Sequence, residues 1–194
     1  MPDLKGFGEN QGMDHPYSLD DYLNEVVSFL DENGIVKPHV IAHSFGGRIA
    51  LKLAYKRPNL FDKLVLTGCA GLKPKRSLKY HLKRACFRIS KPFLKDKKPK
   101  AFYSSDYLSQ SGVMRESFVK IINEHLDYTL PYIKNKTLLV FGDMDKETPL
   151  YVAKKLKNGI KDSRLITVKG AGHFCFVDEP EKFNWEVREF LLSK

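Results

Sequence analysis

Val40-Ile41-Ala42-His43-Ser44-Phe45-Gly46-Gly47-Arg48-Ile49-Ala50 is the segment from which the rest of the chain can be placed. An apolar run, Val40 to Ala42, stops at a serine flanked by small residues. A helical pattern then resumes through Ile49, Leu51, Leu53 and Ala54. The pattern reads as strand, tight turn, helix. Ala42 and Gly46, two residues to either side of Ser44, are the small residues such a turn needs, because a bulky side chain at either position is expected to strike the neighbouring backbone. The turn lifts the Ser44 hydroxyl out at the end of a strand. The helix behind it supplies free N–H groups and the positive end of a dipole.

Outward from this segment, the chain alternates. Ser18 opens a helix with Asp21 three residues on as capping-box partner. Leu19, Tyr22, Leu23, Val26, Val27 and Leu30 form its apolar stripe, and Gly34 ends it. A strand at 39–42 and a helix at 46–57, stopped by Pro58, follow. Leu64-Val65-Leu66 reads as a buried strand. Further strands are expected at 137–141 and 165–168. Thr148-Pro149 is expected to cap a helix to about Lys157, and Pro180 starts a last helix buried through Phe183, Val187, Phe190 and Leu191. Such alternation implies an α/β fold with a mostly parallel sheet covered by helices on both faces. The core is expected at 1–70 and 133–194, with a helical insertion at 71–132. Leu78, Leu82, Cys86 and Ile89 lie at helical spacing in that insertion. Met114, Phe118, Ile121 and Ile122 mark a second helix in it.

The chain has 194 residues and a net charge of +10. Between Lys73 and Lys100 twelve basic residues face one acid, Asp96, so the insertion carries the excess and the body is nearly neutral. An apolar share of 42% is that of a soluble globular domain, and no window reaches the ~18 apolar residues of a membrane span. The start lacks the basic-then-apolar layout of a secretory leader, and Cys69, Cys86 and Cys175 are read as free thiols, so a cytoplasmic location is expected. No metal-type spacing occurs, and no cofactor is expected.

Two loops past strand ends offer partners for Ser44. One is Gly142-Asp143-Met144-Asp145-Lys146-Glu147-Thr148-Pro149, and the other is Lys169-Gly170-Ala171-Gly172-His173-Phe174. Open parallel sheets place their sites at such ends. Together with Ala42-x-Ser44-x-Gly46, these loops resemble those of the α/β-hydrolase family, and the order Ser, Asp, His is that family's order. The resemblance implies Ser44 as nucleophile, His173 as base and Asp145 as the acid that orients it, with Asp143 as the alternative acid. Glu147 is read as part of the next helix cap. Phe45 is expected to supply an oxyanion N–H, and His43 and Phe174 to line the substrate pocket. The Asp-x-x-Gly-x-Gly loop at Asp3, Gly6 and Gly8 is a further match.

In this family the loop follows several strands and a histidine-glycine oxyanion segment. The chain begins at the loop, so a truncated α/β-hydrolase fold is expected, with the Ser44 strand exposed at the sheet edge and open to homodimerisation. The resemblance implies a serine hydrolase for a small-molecule ester, thioester, amide or activated C–C bond. Two other readings stand beside it. One is a remnant whose triad no longer sits in a working pocket. The other is a module whose basic cap grips an anionic membrane surface; nucleic acid is the less favoured partner, because no nucleic-acid motif accompanies the charge.

Overall fold

A computed structural model describes residues 2–75 and 112–193. Four parallel strands form the sheet: β1 (Val40–His43), β2 (Leu64–Thr67), β3 (Thr137–Gly142) and β4 (Ser163–Val168), in that spatial order. The register runs Val40–Leu64–Thr137–Ser163 at one end. All four strands point the same way, so His43, Thr67, Gly142 and Val168 close at one rim. The inner strands β2 and β3 are wholly buried, which explains their unbroken apolar runs. β1 lies at an edge, with Ile41 55% exposed.

Side-chain alternation divides the core. Leu64, Leu66, Leu139 and Phe141 point into the larger cluster, with α1 (Leu19–Glu32), α2 (Phe45–Lys56) and α4 (Leu150–Gly159). Val65, Leu138 and Val140 point into the smaller one, with Cys175 of the short helix α5 (Cys175–Asp178) and Phe183 and Val187 of α6 (Pro180–Leu192). The expected two-faced parallel sheet is thus present. Between β2 and β3, α3 (Gly112–Asn123) and a 3₁₀ segment (Asp127–Tyr132) lie over the rim side of α2. The anticipated helix through Leu78, Leu82, Cys86 and Ile89, and most of the basic insertion, lie outside the described residues.

Local chemistry sets the boundaries. Ser18 and Asp21 form the capping box, with Ser18 N–H donating to Asp21 at 2.7 Å. Helix α1 ends at Glu32, with Gly34 at φ +62° just beyond its cap. Helix α2 is buried on nearly every side, including Arg48 and Lys52. Lys52 Nζ answers its burial with Asp20 at 3.0 Å and Glu124 at 2.6 Å. Strand β1 runs one residue later than expected. Thr148 does not cap α4: Pro149 holds that position, and the Thr148 hydroxyl is used elsewhere.

The crowded glycine of the turn is also not the one the sequence suggested. A Cβ on Gly46 would meet Ala42 Cβ at 3.8 Å, an ordinary contact. On Gly47 it would meet Cys69 Sγ at 2.5 Å and Cys69 Cα at 3.2 Å. The close approach is between α2 and the segment leaving β2, a packing event that turn chemistry does not report.

Candidate active site

Ser44 sits at φ +47°, ψ −108°, one of two described non-glycine residues with positive φ. Such a conformation costs about 1–3 kcal/mol and persists only where neighbours enforce it. Here Ser44 N–H donates to Thr67 O at 3.1 Å, and Ser44 O accepts from Gly47 N–H at 3.1 Å and Ala70 N–H at 3.2 Å. The hydroxyl caps nothing. Phe45 opens α2, so its N–H belongs to the first turn, which has no intrahelical acceptor.

The loop after β3 carries Asp145, the residue expected as acid. The Asp145 side chain is fully buried, and four donors converge on it. Glu147 N–H (2.8 Å) and Thr148 N–H (2.9 Å) reach Oδ1. The Thr148 hydroxyl (2.6 Å) and His173 Nδ1 (2.9 Å) reach Oδ2. Burial by itself would raise the Asp145 carboxyl, but the bonds from Thr148 and His173 outweigh it and hold the group below its ordinary value. Asp143, the alternative acid, is taken up by Gly170 N–H at 2.7 Å. It stitches the two loops together, as does Met144 N–H to Ala171 O at 2.9 Å.

The loop after β4 carries His173, whose backbone passes so close to β3 that only glycine fits there. A Cβ on Gly142 would lie 2.2 Å from Ala171 O and 2.3 Å from Gly172 O. The imidazole is 92% buried as a side chain. The bond from Nδ1 to Asp145 turns Nε2 toward the cavity at the rim.

That cavity, about 370 Å³, is lined by Ser44, Phe45, Glu147, Thr148 and His173 together with an apolar wall of Phe7, Tyr22, Met114, Phe118, Ile121 and Ile122. Among the described residues no hydrogen bond joins the Ser44 hydroxyl to His173; Nε2 is 3.3 Å from Glu147 Oε2. The sequence marks Glu147 as part of a helix cap, whereas the structure places it against the ring. Phe7 stacks on Phe45 at 5.5 Å, and Tyr22 meets Phe45 edge-on at 5.1 Å. Sequence reasoning missed these two walls. Tyr22 looked like one more member of an apolar stripe, and Phe7 lay in a loop without periodicity.

His43 and Phe174, expected in the pocket, are not on its wall. The His43 ring packs on His173 (4.6 Å) and Phe174 (5.0 Å), and its Nε2–H donates to His173 O at 3.1 Å. Burial lowers the His43 imidazole below its ordinary value, so the ring is a neutral buttress under the His173 loop. Among the described residues, no group of three His, Cys, Asp or Glu side chains is arranged to hold a metal ion. None of the described helices is long and apolar enough to cross a membrane.

The sequence profile of the alpha/beta hydrolase fold matches residues 1–79 and 70–180. The chain belongs to the alpha/beta hydrolase fold family. Relatives of this alpha/beta hydrolase include the protein named "Putative carbamate hydrolase RutD" from Caulobacter segnis, 28% identical over 91% of this chain and 73% of that protein. Another is the 2-hydroxymuconate semialdehyde hydrolase of Pseudomonas putida, 26% identical over 99% of this chain and 76% of that protein. A solved hydrolase from Pseudomonas aeruginosa PA01 shares the fold with a TM-score of 0.74, at 22% identity over 98% of this chain and 78% of that one.

Proposed function

We propose that this alpha/beta hydrolase is a serine hydrolase acting on a small ester, thioester, amide or activated C–C bond, with Ser44, His173 and Asp145 as its relay. The observation that carries the reading is the Asp145–His173 bond of 2.9 Å at the wall of the cavity that also holds Ser44. Ser44 Oγ attacks the carbonyl carbon while its proton passes to His173 Nε2. The carbonyl π-electrons move onto oxygen, where Phe45 N–H and the α2 dipole stabilise them. Collapse of the tetrahedral species breaks the bond to the leaving group, which takes the proton from Nε2. Water repeats the sequence on the acyl-serine and returns the free enzyme. Asp145 stays ionised throughout and steadies the imidazolium.

The relatives, named for hydrolysing a carbamate and 2-hydroxymuconate semialdehyde, support a hydrolase of small molecules. A fluorophosphonate probe tests the nucleophile: it is expected to label the parent protein and not Ser44→Ala. Equal labelling of both removes Ser44 from the reaction.

A further inference from the structure

The cavity at Ser44 does not end at its apolar wall. A second chamber of about 680 Å³ adjoins it and shares Arg48, Ala70, Phe118, Ile122, Glu147 and Thr148 with it. The two form one cleft, with Ser44 and His173 at one end and Lys75 and Tyr151 at the other.

The chemistry changes along this cleft. Around Ser44 the wall is aromatic and aliphatic. Beyond it the cleft passes Arg48, a residue that is 91% buried. Arg48 lies in the first turn of α2, just past Ser44, and both line the first cavity. Its Nη1 donates to Ile121 O and Glu124 O, both at 2.9 Å, so among the described residues these two bonds leave the Nε–Nη2 edge of the fork uncommitted. The neighbouring Glu124 carboxylate is engaged by Lys52 at 2.6 Å. Farther on, Lys75 is fixed against Tyr151: its Nζ lies 5.3 Å from the ring centroid, and its N–H donates to the phenol oxygen at 3.2 Å. Among the described lining residues the one carboxylate is Glu147, which lies against His173. A buried planar fork followed by a positioned ammonium, with an apolar bed between them and the nucleophile, is a receptor for a carboxylate on a short hydrocarbon chain.

We propose that the second chamber is a carboxylate subsite, and that the enzyme takes acyl groups with an anionic far end: half-esters or half-amides of short aliphatic dicarboxylic acids. The inference rests on the serine-hydrolase reading for the placement of the scissile carbonyl at Ser44. The apolar wall then holds the methylenes, and Arg48 and Lys75 receive the distal carboxylate.

Calorimetric titration with adipate and with hexanoate tests the subsite without turnover. The two ligands have equal chain length and differ by one terminal carboxylate. The parent is expected to bind adipate at least ~10-fold more tightly, as for a charge-assisted hydrogen bond. Lys75→Gln is expected to cut that preference by about two- to fivefold, as for a partly exposed ionic contact, and Lys75→Glu to cut it further. Lys182→Gln, the same charge change at an exposed position of α6 on the other face of the sheet, is expected to keep it. In parallel, p-nitrophenyl monoadipate should exceed p-nitrophenyl hexanoate in kcat/KM by the same ratio. Equal or absent binding of the two acids, or a preference that Lys75→Glu leaves intact, overturns the subsite. If Ser44→Ala abolishes hydrolysis while adipate gains nothing, only the subsite fails. If adipate is preferred while Ser44→Ala keeps full activity, only the serine-hydrolase reading fails.

Discussion

Gly142→Ala isolates the single closest backbone contact behind the proposed relay. The added methyl would start 2.2 Å from Ala171 O and 2.3 Å from Gly172 O, where ordinary contacts begin near 3.4 Å. Both partners are main-chain atoms, so no side chain can swing aside, and the loop has to retreat by about 1 Å. His173 is the next residue, and its 2.9 Å bond to Asp145 has little slack before it ceases to be a hydrogen bond. A displacement of ~1 Å in a reacting group costs about 10²-fold in rate, or ~2.7 kcal/mol of barrier. Overpacking adds about 1–3 kcal/mol of lost stability. Gly46→Ala is the matched control, since its methyl meets Ala42 at 3.8 Å and replaces a helical glycine, which favours the helix by ~0.5–1 kcal/mol. The assays are ester hydrolysis, rate of fluorophosphonate labelling, and urea unfolding. Gly142→Ala within twofold of the parent in both rates, or Gly46→Ala as impaired as Gly142→Ala, would refute the claim that this contact sets the position of His173.

Gly47→Ala is expected to lower stability by about 1–3 kcal/mol in urea titrations, because its methyl would meet Cys69 Sγ at 2.5 Å. Lys63 is buried and donates to Phe190 O (3.1 Å), Leu191 O (3.0 Å) and Ser193 O, so it closes the C-terminus of α6. Lys63→Met should lose ~1–3 kcal/mol and speed amide exchange in the last turn of that helix. Burial pushes the Cys69 thiol up to about 12 and raises Cys175 as well, so iodoacetamide at pH 8 should spare both in the native protein and modify them in urea, as read by mass spectrometry. Asp20, Asp21, Asp127 and Asp145 are all held below the ordinary 3.8. Depressed carboxyls contribute stability that is complete above the unfolded value and disappears as the pH falls through their folded values. The urea midpoint should therefore begin to fall as the pH drops through 6.5, where the unfolded chain protonates His43 and the buried ring resists it, and fall further below about 4 as the carboxyls are protonated. A midpoint unchanged at pH 3 would contradict these assignments.

What could be read directly was whatever the chain dictates over a few neighbouring residues. Ser44 announced itself through the break from apolar run to small residues, and the acid and histidine loops through glycines and prolines at strand ends. Asp145 could not be separated from Asp143 by spacing alone. Their roles divide because Gly170 N–H reaches one and His173 the other, across a gap of more than twenty residues. Glu147 reads as a cap because a helix follows it closely, yet its carboxylate turns to the ring of His173. His43 reads as a pocket residue because it abuts the serine in sequence. The strand-to-helix turn aims Ser44 into the cavity and leaves His43 beneath the His173 loop.

By itself, then, the sequence determined the element order, the parallel two-faced sheet and the three residues proposed for the relay. These follow from hydrophobic period, turn residues and chain order, all of them short-range properties. Only the tertiary structure decided that Gly47 rather than Gly46 is the crowded glycine, and that Phe7, Tyr22 and α3 close the cavity. It also decided that Arg48 faces the interior of the cleft. Those outcomes depend on how α2 crosses the segment after β2 and on which side chains meet from distant parts of the chain, and no periodicity along one element encodes the distance between two.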